Sequence, residues 1–371
     1  MAKTPLQELA DNGQSVWIDY LSRSFVKDGD LAGLVEQGIV GVTSNPTIFQ
    51  GAIAEGDAYD DQIRELVEGG ESEPKEIFQE LAAADIREAC DLLRPIYDDG
   101  GDGDGRDGFV SLEVDPNLAH DTEGTIAEAK RLHALIDRPN LFIKIPATKE
   151  GLRAIEETIA SGIPVNVTLI FSLERHREVA QAYIRGLRRL AYSGGDLDPV
   201  ASVASFFVSR VDTEADKRLD ELGGHDELKG KLAIANAKLA YQTYKEVFAG
   251  SDWDELSAKG ASAQRCLWAS TSTKNPDYRD VIYVEELVGR DTVNTMPRET
   301  VEAVLDHGRV RSSLEEDVEG ARKTLEALKE VGIDYDDVVE TLEKEGVKKF
   351  ADSFKELFSH IEDKRDSLVA A

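Results

Sequence analysis

The stretch LFIKIPATKEGLRAIEETIASGIPVNVTLIF (141–171) holds a strand, a helix and a second strand in succession. LFIKIPA (141–147) and VNVTLIF (165–171) are short apolar and β-branched runs, and KEGLRAIEETIA between them repeats apolar residues at three- and four-residue spacing. Two strands joined by a helical crossover run parallel. Working outward, the same alternation recurs. VWIDYL (16–21), VGVTSN (40–45) and GFVSLEV (108–114) precede it, and VASVASFFVS (200–209), RCLWAST (265–271) and TVNTM (292–296) follow. Amphipathic segments such as DLAGLVEQG, TEGTIAEAKRLHALI, LERHREVAQAYIRGLRRLAY and KLAIANAKLAYQTYKEVF separate them.

Eight such units fit either an open doubly wound sheet or a closed barrel. The open sheet announces itself by a Gly-rich phosphate turn after its first strand. Here DYLSRSFVKDGD follows instead, and no G-x-G-x-x-G or Walker sequence occurs. The pattern therefore predicts an α/β fold, a (β/α)8 TIM-type barrel, whose usual size is about 250 residues. The remainder of the 371 residues is assigned to an N-terminal helix, a helical excursion from Asp57 to Tyr97 between strands 2 and 3, and C-terminal helices within 313–371. No Pro-, Gly- or Ser-rich linker divides the chain, so residues 1–371 read as a single domain.

Acidic residues number 73 against 43 basic ones, a formal charge of −30 spread over the helices. That field opposes binding to nucleic acid and to anionic membranes, and requires any phosphate site to be built from local cations and N–H groups. Adaptation to high salt and simple solubility both account for it. The longest apolar stretches fall far short of a span of ~20 residues. MAKTPLQELADNG reads as the start of a helix and not as a signal peptide, which predicts a cytoplasmic protein. Cys90 and Cys266 are expected to be two buried thiols.

DDGGDGDGRDG (98–108) puts Asp102, Asp104 and Glu113 at positions 1, 3 and 12 of a calcium-loop count. Arg106 and Asp107 occupy positions 5 and 6, where a ligand and a glycine are needed, so a solvated acidic loop is expected. The six histidines show no ligand spacing, and no metal is expected.

In a parallel barrel the C-terminal strand ends share one mouth, so polar residues late in each strand are the candidates for chemistry. They are Asp19, Asn45, Glu113, Lys144, Asn166, Thr168, Ser205, Arg210, the run Ser270 to Lys274, Asn294 and Thr295. Alternation puts Lys144 on the inner side of its strand, where desolvation favours the neutral amine that attacks a carbonyl; the free ammonium has a pKa of about 10.4. The alternative is a lysine paired to a barrel carboxylate in a purely structural role. Glu113 and Asp19 are carboxylates for proton transfer or for pairing with a buried cation, and Thr168 is a water-holding hydroxyl or a plain strand residue. Arg210 and STSTK (270–274) offer donors to a phosphate, near the strand-7 loop where barrels often bind one.

WIDYLSR (17–23), GVTSNPTIF (41–49), SLEVDPNLAHDTEGTIAEAKRLH (111–133), LFIKIPAT (141–148), VNVTLIFS (165–172), ASFFVSRVD (204–212) and WASTSTKNP (268–276) together resemble transaldolase, up to about residue 300. The resemblance implies a cofactor-free barrel enzyme of the non-oxidative pentose phosphate pathway. Its Schiff-base lysine falls on Lys144, its acid/base aspartate on Asp19, and the glutamate and threonine that handle the catalytic water on Glu113 and Thr168. Asn45 and Asn166 match asparagines that hold the dihydroxyacetone hydroxyls, and Ser205, Arg210 and Ser270 match the hydroxyl and phosphate end. Some members carry an arginine two residues after the serine matching Ser270, whereas this chain has Ser272; Lys274 is the cation available instead.

The implied reaction moves dihydroxyacetone from sedoheptulose 7-phosphate to glyceraldehyde 3-phosphate, giving erythrose 4-phosphate and fructose 6-phosphate. Small sugar phosphates are the only partners implied, and the chain is expected as monomer or homodimer. A related fructose 6-phosphate aldolase that releases free dihydroxyacetone is the nearest alternative. Such enzymes are shorter and replace the strand-3 glutamate, so Glu113 favours the transferase. A barrel retained only for binding is the other, opposed by the presence of all four catalytic candidates.

Overall fold

A computed structural model describes residues 3–54, 56–100 and 107–369. The chain opens with α1 (Pro5–Asp11), β1 (Gln14–Ile18), α2 (Arg23–Lys27), α3 (Asp30–Gln37) and β2 (Ile39–Val42). The excursion before the third strand consists of α4 (Pro46–Ala54), α5 (Asp60–Glu68) and α6 (Pro74–Asp99). Then come β3 (Val110–Glu113), α7 (Thr122–Ile136), β4 (Leu141–Pro146), α8 (Lys149–Ala160), β5 (Val165–Ile170) and α9 (Leu173–Tyr192). These lead to β6 (Ser202–Phe207), α10 (Ser209–Leu222), α11 (Leu232–Val247), α12 (Ser251–Ser257) and β7 (Arg265–Ala269). The chain continues through α13 (Ile282–Glu285), β8 (Thr292–Met296), α14 (Arg298–His307), α15 (Val318–Glu330) and α16 (Tyr335–Val369).

The eight strands pair in sequence order and β8 closes on β1, all parallel, which is the (β/α)8 barrel expected from the alternation. Short strand-to-helix turns hold the strand ends in place. Thr148, two residues past β4, accepts from Gly151 N, and Ser172, two residues past β5, accepts from Arg175 N. Each such cap is worth about 1 kcal/mol to its helix. Ala154, Ile155, Thr158 and Ile159 of α8 recur at helical spacing and are buried.

Inside the barrel, Trp17 of β1 packs against Phe142 of β4, which stacks on Phe109 with ring centroids 4.0 Å apart. Gly41 on β2 makes room for the indole, since a Cβ there would lie 2.5 Å from the Trp17 ring. Below this layer, Asp107 accepts from Trp17 Nε1 at 3.0 Å, Ser15 Oγ at 2.6 Å and Arg265 at 3.0 Å. Asp107 thus departs from the solvated acidic loop expected for 98–108: it closes the lower end of the barrel. The rest of the calcium-loop count, Asp102 to Arg106, lies outside the described residues. Cys90 and Cys266 are free and buried. Among the described residues no helix is long and apolar enough to cross a membrane.

Candidate active site

The strand register decides which side chains meet at the mouth. Glu113 of β3 pairs with Lys144 of β4, and Lys144 with Asn166 of β5, so the three lie in one row. Lys144 is 5% exposed, between Ile143 and Ile145, which are fully buried. Its Nζ donates to the Ser44 carbonyl at 3.1 Å and stands 3.3 Å from Glu113 Oε2, an ion pair whose geometry falls short of a hydrogen bond. The Phe350 ring of α16 covers the ammonium, centroid 5.7 Å from Nζ.

Asp19 emerges one residue beyond β1 and accepts from Thr43 Oγ1 at 2.7 Å; Thr43 in turn shares a 2.6 Å bond with Thr295. Burial pushes the carboxyls of Asp19 and Glu113 above the usual range, and the charge of Lys144 only partly offsets it in each. Two acids inclined toward the neutral form beside a lysine can give protons as well as take them.

Thr168 reaches the mouth through a local irregularity. The β5–β6 pairing shifts between Val167 and Ile170, and Leu169 has φ 59°, in the left-handed region. Such a conformation costs about 1–3 kcal/mol in a non-glycine residue and is typical of bulges that re-aim a neighbouring side chain. Thr168 Oγ1 is buried without a hydrogen-bond partner among the described residues, and so is Glu113 Oε2. Ser270 has φ 57°, and its Oγ lies 2.8 Å from Ser209 Oγ at the start of α10.

These residues surround a cavity of about 370 Å³. Of the ten residues singled out for catalysis or substrate binding, Asp19, Asn45, Lys144, Thr168, Ser205, Arg210, Ser270 and Lys274 line it, as do Ser272 and Thr295 from the wider list of mouth residues. Glu113 sits behind Lys144, and Asn166 behind Ser205, both off the wall. The Asn166 amide is engaged at both ends: Nδ2 donates to Ser111 Oγ at 3.0 Å and Oδ1 accepts from Ser205 Oγ at 2.7 Å. Asn45 Oδ1 accepts from Ile48 N and caps α4. Arg210 packs over Phe207, its Cζ 5.2 Å from the ring centroid, and Lys274 donates to Ser272 Oγ at 2.8 Å.

Sequence reading passed over Thr43, Glu299, Lys349 and Phe350, all on the same wall. Thr43 was visible in VGVTSN as a polar residue late in a strand. Lys349 and Phe350 arrive on α16, which sequence had treated as surplus to the barrel.

The model for the family described as Transaldolase/Fructose-6-phosphate aldolase matches residues 16–361. The chain is 55% identical over 356 residues, 95% of each chain, to "Transaldolase" of Acidothermus cellulolyticus. It is 53% identical over 361 residues, 96% of each chain, to "Transaldolase" of Frankia alni. To "Transaldolase 2" of Streptomyces coelicolor it is 52% identical over 362 residues, again 96% of each chain. The chain belongs to the transaldolase/fructose-6-phosphate aldolase family. It is an enzyme, and its function is that of a transaldolase.

Proposed function

We propose that Lys144 forms a Schiff base with the C2 carbonyl of a ketose phosphate, and that the enzyme transfers a dihydroxyacetone unit from sedoheptulose 7-phosphate to glyceraldehyde 3-phosphate. The observation that carries this reading is a lysine on the cavity wall, buried under an aromatic ring, with one carboxylate behind it and another on the same wall.

The neutral amine attacks C2, and the carbinolamine loses its hydroxyl as water, protonated from Glu113 through a water held between Glu113 and Thr168. Their two unpartnered oxygens suit that water. Asp19 takes the proton of the C4 hydroxyl, the C3–C4 electron pair moves into the iminium, and erythrose 4-phosphate leaves. The bound enamine then attacks the aldehyde carbon of glyceraldehyde 3-phosphate, and Asp19 returns its proton to the new C4 hydroxyl. Water adds to the iminium and releases fructose 6-phosphate. Ser205, Asn45 and Asn166 hold the three-carbon unit, Asn166 by way of Ser205. Arg210, Ser270 and Lys274 hold the phosphate.

This places the enzyme in the non-oxidative pentose phosphate pathway, and the two buried free thiols suit a reducing cytoplasm. Borohydride reduction with fructose 6-phosphate, followed by mass spectrometry, is expected to leave a reduced dihydroxyacetone adduct on Lys144. Absence of an adduct from every lysine of the folded protein sinks the Schiff-base reading. Free dihydroxyacetone accumulating without acceptor as fast as transfer proceeds with it assigns the enzyme to the aldolase side of the family.

A further inference from the structure

The face of α16 turned toward the barrel carries Gly346, Lys349, Phe350 and Ser353, at the three- and four-residue spacing of helical neighbours. Three of these have fixed seats. Gly346 lies against Leu169, where a Cβ would come within 3.0 Å of Leu169 Cδ2. Phe350 covers Lys144, and Ser353 Oγ shares a 2.8 Å hydrogen bond with Thr47 Oγ1. With the helix seated on both sides of it, Lys349 is committed to the cavity wall, which it forms together with Arg210, Ser272 and Lys274.

Its charge is unbalanced there. Lys344, Lys348 and Lys364 of the same helix each hold a carboxylate, in a chain where acids outnumber bases 73 to 43. Among the described residues no salt bridge reaches Lys349, although Glu299 lines the same cavity. Lys349 is an exposed residue at the edge of the cavity; partial desolvation of its ammonium, together with the like charges of Arg210 and Lys274, pulls it below the usual lysine range. Arg210 has the carboxylates of Asp19, Glu345 and Glu113 within electrostatic reach, whereas Lys349 feels the like charges of Arg210 and Lys274, and an anion bound among the three relieves that repulsion.

We propose that Lys349 is a binding residue for the phosphoryl group of the sugar phosphate, completing with Arg210 and Lys274 a three-cation site whose third member is delivered by the C-terminal helix. The inference rests on the sugar-phosphate reading above. It gives α16 two tasks on one face: Phe350 shields the Schiff base while Lys349 holds the far end of the substrate.

The test compares wild type, Lys349→Gln and Lys349→Arg in three measurements. These are steady-state kinetics with fructose 6-phosphate, competitive inhibition by inorganic phosphate, and borohydride trapping of unphosphorylated dihydroxyacetone at Lys144. Lys349→Gln is expected to raise KM for the sugar phosphate and Ki for phosphate together, by about 10- to 100-fold, as loss of a charge-assisted contact predicts. Trapping of dihydroxyacetone, which carries no phosphate, changes much less, and Lys349→Arg recovers most of the KM. Wild-type KM and Ki in Lys349→Gln overturn the proposal. So does an equal loss of dihydroxyacetone trapping, which would mean that the substitution merely displaces the helix. Failure of wild type itself to trap any ketone at Lys144 sinks the underlying Schiff-base reading instead, so the two failures are told apart.

Discussion

The two ends of this barrel each bury a cation against a carboxylate, and they finish the job differently. At the lower end, Arg265 and Asp107 side chains are 9% and 13% exposed. Asp107 accepts from Arg265, Trp17 and Ser15, and Arg265 donates as well to Ser15 Oγ at 2.8 Å. At the mouth, Lys144 and Glu113 are 6% and 3% exposed, yet Glu113 Oε2 and the nearby Thr168 Oγ1 lack hydrogen-bond partners among the described residues. A guanidinium fork saturates its partners and locks them; an ammonium is a point donor that can lose its proton and become a nucleophile. Stability uses filled valences, and chemistry uses spare ones.

Breaking the upper pair should therefore abolish activity at little structural cost. Lys144→Met is expected to lower turnover by more than about 10⁴-fold, since the covalent route disappears. Its melting temperature should stay within a few degrees of wild type, because burial already inclines Glu113 toward the neutral form that the loss of Lys144 leaves behind. A large drop in calorimetric melting temperature would show that the pair is structural. Asp19→Asn and Glu113→Gln come next, each expected to lower kcat by about 10²- to 10⁴-fold. They should separate by step. Asp19→Asn still condenses with the ketose, so reduction traps the intact six-carbon sugar phosphate on Lys144, whereas Glu113→Gln slows formation of any adduct.

Breaking the lower pair should do the reverse. Arg265→Met leaves Asp107 buried without its cation and is expected to destabilise the fold by about 3–5 kcal/mol, measured by urea denaturation, while the protein that remains folded keeps its kcat. A collapse of kcat at unchanged stability would mean that the lower network tunes the mouth and that the two ends are not independent.

How much of this was legible in the sequence follows the same division. Every strand announced itself by composition, and the mouth residues by standing polar within apolar runs, as Lys144 does in LFIKIPA (141–147). Asp107 was misread because an acidic, Gly-rich run suggests solvent, whereas only the fold brings Ser15, Trp17 and Arg265 around it. The bulge that aims Thr168 was invisible, since Leu169 is an ordinary strand residue and nothing in VNVTLIF (165–171) marks a left-handed backbone. Lys349 and Phe350 were missed for another reason. An amphipathic pattern shows that α16 has an apolar face, but not that Gly346 seats that face on Leu169 at the active-site end of the barrel.

The smallest effect comes from the rim, where Asp212 of α10 tests whether hydrogen bonds alone can substitute for a cation. Its Oδ1 accepts from Ala233 N at 2.7 Å and its Oδ2 from Tyr283 Oη at 2.7 Å, but among the described residues no salt bridge reaches it. Burial, with Asp216 nearby adding to it, pushes this carboxyl up to about 7. The sign follows from linkage. Between the ordinary aspartate value near 4 and about 7, the folded protein holds a proton that the unfolded chain has released, so Asp212 makes stability fall as pH rises through that window. Asparagine keeps an acceptor for Ala233 N and a donor for the tyrosine oxygen, without the charge. Asp212→Asn is therefore expected to match wild type near pH 4 and to exceed it by about 1–3 kcal/mol at pH 8, read from denaturation curves at both values. A variant equally destabilised at both would show that the ionised carboxylate is a favourable partner for Tyr283. In that case a buried carboxylate can be satisfied at this rim without the arginine that Asp107 has at the lower end.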